Sequence, residues 1–297
     1  MSKVNSVTTS FVPDGKTKYC FLFGASIEKS LSPGLHTNWF QKENLNCIYL
    51  PMPVTTVDLF SALVLNLVET EGFIGGNITS PYKNSIVNMN IFEMTESVQA
   101  IQAANTIYRN NRGNWCLENT DIFGVKKSIQ HLITKEEKYY ALVLGGGGAA
   151  AAALYNCSQD KNCLKSICFT RNPSKTIACF PLLTQQRNVA VHFLVNEELN
   201  KTIEQISQEK VNLVIINSLP IGFSSGEKNL FVHYVIERAL LNMKKNYIFY
   251  FDMIYTDTVA TSFAKKNKIK AINGKKMLEE QAKKSFALWR EQLLRVK

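Results

Sequence analysis

The sequence predicts an α/β protein. Apolar strand-like segments alternate with amphipathic ones from Tyr19 onward, and residues 139–154, YYALVLGGGGAAAAAL, pass from strand to glycine turn to helix within a few positions. Tyr19 to Phe23 forms the first strand, followed by a Ser/Pro turn and a helix from Pro33 to Glu43. Asn46 to Pro51 gives a second strand and Val57 to Val68 an amphipathic helix. Phe73 to Thr79 gives a third strand, stopped by Pro81, which has no N–H for a central ladder. The glycine unit starts only after Asp121. No repeat or low-complexity linker precedes it, so the change of unit type marks the domain division.

In that unit Tyr140 to Leu144 is a buried parallel strand, and Gly145, Gly147 and Ala150 fit G-x-G-x-x-G/A. The first glycine permits the tight turn and the second lets a pyrophosphate approach the backbone. The small third residue lets helix pack on strand, with the phosphate at the helix N-terminus. Gly148 and Ala149 carry the turn into the alanine helix. Ser166 to Phe169 is the next strand, and its end is where such a unit meets an adenosine ribose. An NAD site has Asp or Glu there. This chain has Thr170-Arg171-Asn172-Pro173-Ser174-Lys175, two cations and no carboxylate, which suits the 2′-phosphate of NADP. The plain alternatives are a glycine turn without a ligand and a solvated basic strand end.

At 297 residues and 45% hydrophobic, the chain can bury the core of one large or two moderate domains. No apolar run reaches the length of a membrane span, and MSKVNSVTTS lacks the apolar centre of a signal peptide. A soluble cytoplasmic protein is expected. Seven cysteines without C-x-x-C spacing point to reduced, packed thiols and to no zinc site or other metal. The net charge of +10 favours anionic ligands. The cations are scattered in pairs such as Lys126-Lys127 and Lys244-Lys245, however, and no nucleic-acid signature accompanies them.

Three polar clusters precede the glycine unit. Lys29-Ser30-Leu31-Ser32-Pro33 offers two hydroxyls to one oxyanion. Asn77-Ile78-Thr79-Ser80-Pro81-Tyr82-Lys83 puts an amide, a hydroxyl and an ammonium in one strand-to-helix connection. Asn105-Thr106 and Asn119-Thr120-Asp121 each end a segment. Each also has a structural explanation: Ser30 and Ser32 capping a helix, Asn105 and Asn119 closing turns, Lys83 a surface cation.

Taken together, FGASIEKSLSP, GGNITSPYK, AANTI, ENTDIFG, LGGGGAAAAA, INSLPIG, FDMIY and NGKKMLEEQAKKSFALW occur in the order of the shikimate dehydrogenases, and the chain resembles that family from about Phe21 to Trp289. The resemblance implies an α/β substrate-binding domain at 1–120, a Rossmann-like NADP-binding domain with a parallel sheet at 121–273, and a C-terminal helix at 274–297 returning to the first domain. It implies NADP-dependent, reversible reduction of 3-dehydroshikimate by a monomer or homodimer that binds a small-molecule substrate, no membrane and no nucleic acid. Lys83 and Asp121 match the catalytic pair. Ser30 and Ser32 match serines that hold the substrate carboxylate, with Tyr255 nearby. Asn77, Thr79, Asn105 and Gln281 match groups bonding the ring hydroxyls, and Met253 lies beside the nicotinamide. Gly145, Gly147, Gly148, Ala149, Ala150, Thr170, Arg171 and Lys175 fall on the cofactor. Ser26 and Lys29 replace the usual Pro and His, Leu219 and Phe223 depart in the INSLPIG segment, and Thr256-Asp257 replaces Asn-Pro. No Arg follows the glycine loop, and the Thr261 to Gly274 stretch is short. Quinate or aminoshikimate as substrate, or a non-catalytic NADP-binding regulator, are the other readings.

Overall fold

A computed structural model describes residues 11–134, 136–219 and 230–295. Within them the chain builds two six-stranded sheets. The first is assembled from β1 (Lys18–Gly24), β2 (Cys47–Pro53), β3 (Phe73–Ile78), β4 (Glu93–Met94), β5 (Thr106–Arg109) and β6 (Trp115–Glu118). Its order is β2-β1-β3-β5-β6-β4, with β1, β2 and β3 mutually parallel and β5 antiparallel to both β3 and β6. The helices among these strands are α1 (Ser32–Lys42), α2 (Val57–Leu67) and α3 (Glu96–Ile101). β2 runs through Pro51 to Pro53, beyond the expected end. It lies at the sheet edge, where a proline forfeits no ladder bond.

The β5–β6 hairpin had no counterpart among the expected elements. Its strands have four residues each, too short to show a period. They meet at a turn in which the Asn110 side chain accepts from Arg112 N and Asn114 N.

After α4 (Asp121–Leu132) come β7 (Tyr139–Leu144), α5 (Gly148–Gln159), β8 (Cys163–Thr170), α6 (Pro173–Cys179), α7 (Pro181–Thr184) and β9 (Val189–Phe193). They are followed by α8 (Asn196–Gln208), β10 (Asn212–Asn217), α9 (Leu230–Asn242), β11 (Ile248–Asp252), α10 (Val259–Lys266), β12 (Lys270–Ile272) and α11 (Lys275–Arg295). The second sheet is parallel throughout and ordered β12-β11-β10-β7-β8-β9. This is the doubly wound dinucleotide-binding order, whose ligand crevice lies outside the carboxyl ends of the strands where the winding reverses, here between β7 and β10. Its strands read as near-continuous apolar runs because helices cover both faces. Ala150 to Ala153 are fully buried, the small side chains that let α5 lie close to the sheet.

Val125 and Ile129 of α4 share a core with Val143, Leu154 and Ile216. The far face packs Ile203, Val235 and Ala260 from α8, α9 and α10. α11 then returns to the first sheet: Phe286 and Trp289 pack with Phe40 and Tyr49, and Trp289 Nε1 donates to the Ile107 carbonyl at 2.9 Å. α4 and α11 touch so closely at Gly124 that a Cβ there would lie 2.6 Å from the Met277 carbonyl. Among the described residues no helix is long and apolar enough to cross a membrane, and no cluster of His, Cys, Asp and Glu could hold a metal. All seven cysteines are free and six are buried. Residues 1–10, where no signal segment is expected, lie outside the described residues.

Candidate active site

Lys83 follows β3 through a turn, and the element after it is a single 3-10 turn at Ile86–Asn88 rather than the expected helix. Its backbone is pinned by Ala104 N, which donates to the Lys83 carbonyl at 2.9 Å. Nζ lies 2.6 Å from Oδ2 of Asp121, the first residue of α4, and the side chains are 20% and 11% exposed. The surface-cation reading of Lys83 therefore fails. Asn105 Nδ2 donates to the other Asp121 oxygen at 2.9 Å, while Asn105 Oδ1 accepts from Thr120 N at 2.8 Å. The β5–β6 pairing sets Thr106 opposite Glu118, and so brings the two Asn-Thr segments to one point.

Asn77 is held on every side. Its Nδ2 faces the Asn105 carbonyl, Thr106 Oγ1 and Ser285 Oγ at 3.0 to 3.1 Å, and its Oδ1 accepts from the Tyr49 hydroxyl at 2.9 Å. Gln281 Oε1 accepts from Thr120 Oγ1 at 3.2 Å. Ser285 and Tyr49 are not among the expected site residues. Ser285 had a signal in the sequence: it lies four positions after Gln281, on the same helix face. Tyr49 had none, because the residue it bonds is in another strand. Behind Tyr49, the His36 ring stacks at 4.6 Å with neither nitrogen partnered, and burial pushes its pKa down to about 3.

These groups open on a cavity of about 610 Å³. Ser30, Ser32, Asn77, Thr79 and Asn105 line it from the first domain. Lys83, Asp121 and Gln281 also line it, and Met253 and Tyr255, just after β11, bring the second sheet to it. Ser30 and Ser32 do not cap α1. Leu31 occupies the cap position with no side-chain bond, and Ser30 Oγ instead accepts from Ser32 N at 3.3 Å. With the Ser32 amide taken by Ser30 Oγ and Pro33 lacking an N–H, what this part of the cavity offers an anion is chiefly the serine hydroxyls. Lys29 and Glu28 are exposed at the rim.

Outside this cavity, the expected nucleotide residues gather at the carboxyl end of β7. Gly145 has φ +116, and a Cβ on it would lie 2.5 Å from Ser218 Oγ. Gly147 is the extended N-cap of α5 without a side chain to cap it, and Gly147 and Gly148 face open space. Ala149 follows in the first turn of α5, and Ala150 is buried against the sheet. Thr170 is turned inward: its hydroxyl accepts from Thr176 Oγ1 at 3.3 Å and fixes the start of α6. Arg171 and Lys175 are exposed and form no salt bridge among the described residues. Asn172 Oδ1 accepts from Lys175 N at 2.9 Å and so places that lysine in the first turn of α6. Uncapped amides at one helix start and two unpaired cations beside it fit the phosphates of NADP. Of the departures noted, Asp257 pairs with Lys265 at 2.8 Å. Phe223 lies outside the described residues.

A polar cavity organised round a lysine–aspartate pair, facing the carboxyl edge of a doubly wound sheet, places the chain among two-domain α/β oxidoreductases. Residues 22–107 match the family model of the shikimate dehydrogenase substrate binding domain. A shikimate dehydrogenase (NADP+) of Caldanaerobacter subterraneus subsp. tengcongensis is 30% identical over 285 residues, spanning 93% of this chain and 92% of that one. One from Microcystis aeruginosa is 29% identical over 280 residues, with 93% and 92% spanned. The crystal structure of shikimate dehydrogenase from Aquifex aeolicus aligns with a TM-score of 0.76 at 25% identity, covering 94% of this chain and 95% of that one. The chain belongs to the shikimate dehydrogenase family.

Proposed function

We propose that this protein catalyses the NADP-dependent, reversible reduction of 3-dehydroshikimate to shikimate. The observation that carries the reading is the 2.6 Å Lys83–Asp121 pair inside a cavity whose other polar groups are already in place. Reducing a ring ketone needs a hydride at carbon and a proton at oxygen. NADPH would supply the hydride, and the Gly145 to Ala150 turn together with Arg171 and Lys175 would hold it, with Met253 on the nicotinamide side. The Lys83 ammonium gives the proton to the ketone oxygen and stabilises the developing alkoxide. Asp121 orients that ammonium through a charge-assisted bond, and in the oxidative direction the neutral amine takes the hydroxyl proton back. Ser30, Ser32 and Tyr255 take the substrate carboxylate, and Asn77, Thr79, Asn105 and Gln281 the hydroxyls.

On this reading, residues 1–120 and 274–297 form the substrate domain and 121–273 the cofactor domain. The protein acts in the cytoplasm as a monomer or homodimer, and its seven free thiols suit a reducing compartment. An absorbance assay of the purified protein with shikimate, quinate, NADP+ and NAD+ tests it, with shikimate and NADP+ expected as the preferred pair. Faster turnover of quinate would make it a quinate dehydrogenase, and cofactor binding without turnover of any of these acids would make it a regulator.

A further inference from the structure

Asp252, the last residue of β11, is a fully buried carboxylate whose five hydrogen-bond partners among the described residues are all neutral. Oδ1 accepts from Asn217 Nδ2 and Ile254 N, both at 3.1 Å. Oδ2 accepts from the Tyr250 hydroxyl at 2.8 Å, Thr258 Oγ1 at 2.7 Å and Thr261 Oγ1 at 3.3 Å. Burial and the adjoining carboxylate push the Tyr250 pKa well up, so its hydroxyl stays a donor. A buried carboxylate is costly unless its lone pairs are satisfied, and here donors from β10, β11, the following loop and α10 converge to satisfy them.

The bonds bear on the site through the next three residues. Met253 and Tyr255 line the cavity, whereas Ile254 between them is 3% exposed and turns into the core. That alternation is fixed from both sides. Met253 N donates to the Asn217 carbonyl at 2.9 Å, and Gly274 N donates to the Ile254 carbonyl at 2.7 Å. Gly274 comes so near that a Cβ there would lie 2.2 Å from the Met253 carbonyl. Asn217 in turn accepts from Leu219 N at 3.2 Å, and the intervening Ser218 hydroxyl donates to the Leu144 carbonyl at 2.7 Å, one residue before the glycine turn. One carboxylate therefore ties the ends of β10 and β11 and, through Ser218, of β7.

We infer that Asp252 is a positioning residue for hydride transfer: it fixes the Met253–Tyr255 segment so that the cofactor side and the substrate side of the cleft are set as one piece. This rests on the function proposed above. The test is Asp252→Asn, which keeps the shape and removes the charge, alongside Tyr250→Phe, which removes one donor. The expected result for Asp252→Asn is turnover lower by about ten- to a hundredfold, the size expected of a small misplacement of reacting groups. The KM for shikimate should rise, and the isotope effect with deuterated reduced cofactor should increase as hydride transfer becomes slower than release.

In the ligand-free protein the amides of residues 253–256 should exchange hydrogen faster, while those of 145–150 keep native rates. Tyr250→Phe should shift each quantity the same way by less, and it decides the matter alone if the asparagine variant does not fold. Native isotope effect and native exchange at 253–256 would overturn the inference, as would faster exchange spread evenly over both sheets. The exchange arm needs no turnover. Failure of the native protein to oxidise shikimate would count against the proposed reaction and leave the role of Asp252 in holding the loop to be judged by exchange.

Discussion

Around Lys83, side chains answer side chains: Asp121, Asn105, Gln281, Thr120, Ser285, Asn77 and Tyr49 are joined by hydrogen bonds across β2, β3, the β5–β6 hairpin, α4 and α11. Around Gly145 the material is backbone. A helix start carries no side-chain cap, two glycines face open space, and two exposed cations have no acidic partner among the described residues. The first region is organised before any ligand arrives, because its polar groups are buried and must satisfy one another. The second leaves its donors for an anion to fill. Substitutions near Lys83 should therefore act together, and those near Arg171 should act alone.

The largest effect is expected from Lys83→Ala, with turnover lower by roughly 10²- to 10⁴-fold and the KM for shikimate changed far less, as steady-state kinetics would show. Asp121→Asn should lose activity in the same way. The double variant should be little worse than the single ones, whereas fully multiplicative losses would mean that the two residues work independently. Arg171→Asp comes next: NADP+ affinity should fall by about ten- to a hundredfold and NAD+ affinity hardly move in a binding titration. Equal losses for both cofactors would assign the arginine to adenine or to folding.

The third expectation concerns pH. His36 is neutral when folded, its pKa held at about 3 against an ordinary 6.5. Between those values the unfolded chain binds the extra proton, so the stability contribution is complete above the unfolded value and is lost as pH falls toward the folded one. The slope approaches about 1.4 kcal/mol per pH unit. Urea melts of the native protein and His36→Phe, from neutral pH down to about pH 5, should give a shallower loss for the variant. Identical slopes would clear His36 of the acid sensitivity. The smallest effect is expected for Ser30→Ala, a rise of about tenfold or less in the KM for shikimate with turnover nearly kept, since a carboxylate remote from the reacting carbon is bound alike in ground and transition states. An unchanged KM would remove the serine from the carboxylate contact.

Much of this could be read from the residues because it depends on short-range rules. The glycine turn, the alanine helix and the strands β1, β3 and β7 follow from local pattern, and Lys83 and Asp121 stood out through their motifs. The structure added what depends on pairing between distant segments. The β5–β6 hairpin is too short to announce itself, yet its register is what sets Asn105 against Thr120. Tyr49 and Ser285 matter only because β2 and α11 meet at Asn77. Thr170, expected at the cofactor, ends a buried strand with its Oγ1 accepting from Thr176 Oγ1, a contact that only the packing of α6 on β8 reveals. Ser30 and Ser32 could have capped a helix by sequence alone. The start of α1 at Ser32 itself decides otherwise.

The return of α11 also bears on the order in which the protein can be made. The first sheet leaves the ribosome early, but Gln281, which lines its pocket, and Ser285 and Trp289, which bond its strands, are synthesised only after the whole second sheet. Until then Asn77 and Thr120 lack their Ser285 and Gln281 partners and the Tyr49 ring lacks its contact with Trp289. A nascent chain halted before α11 should therefore expose this surface, bind holding chaperones through it and stay unable to retain shikimate, even with its nucleotide unit already folded.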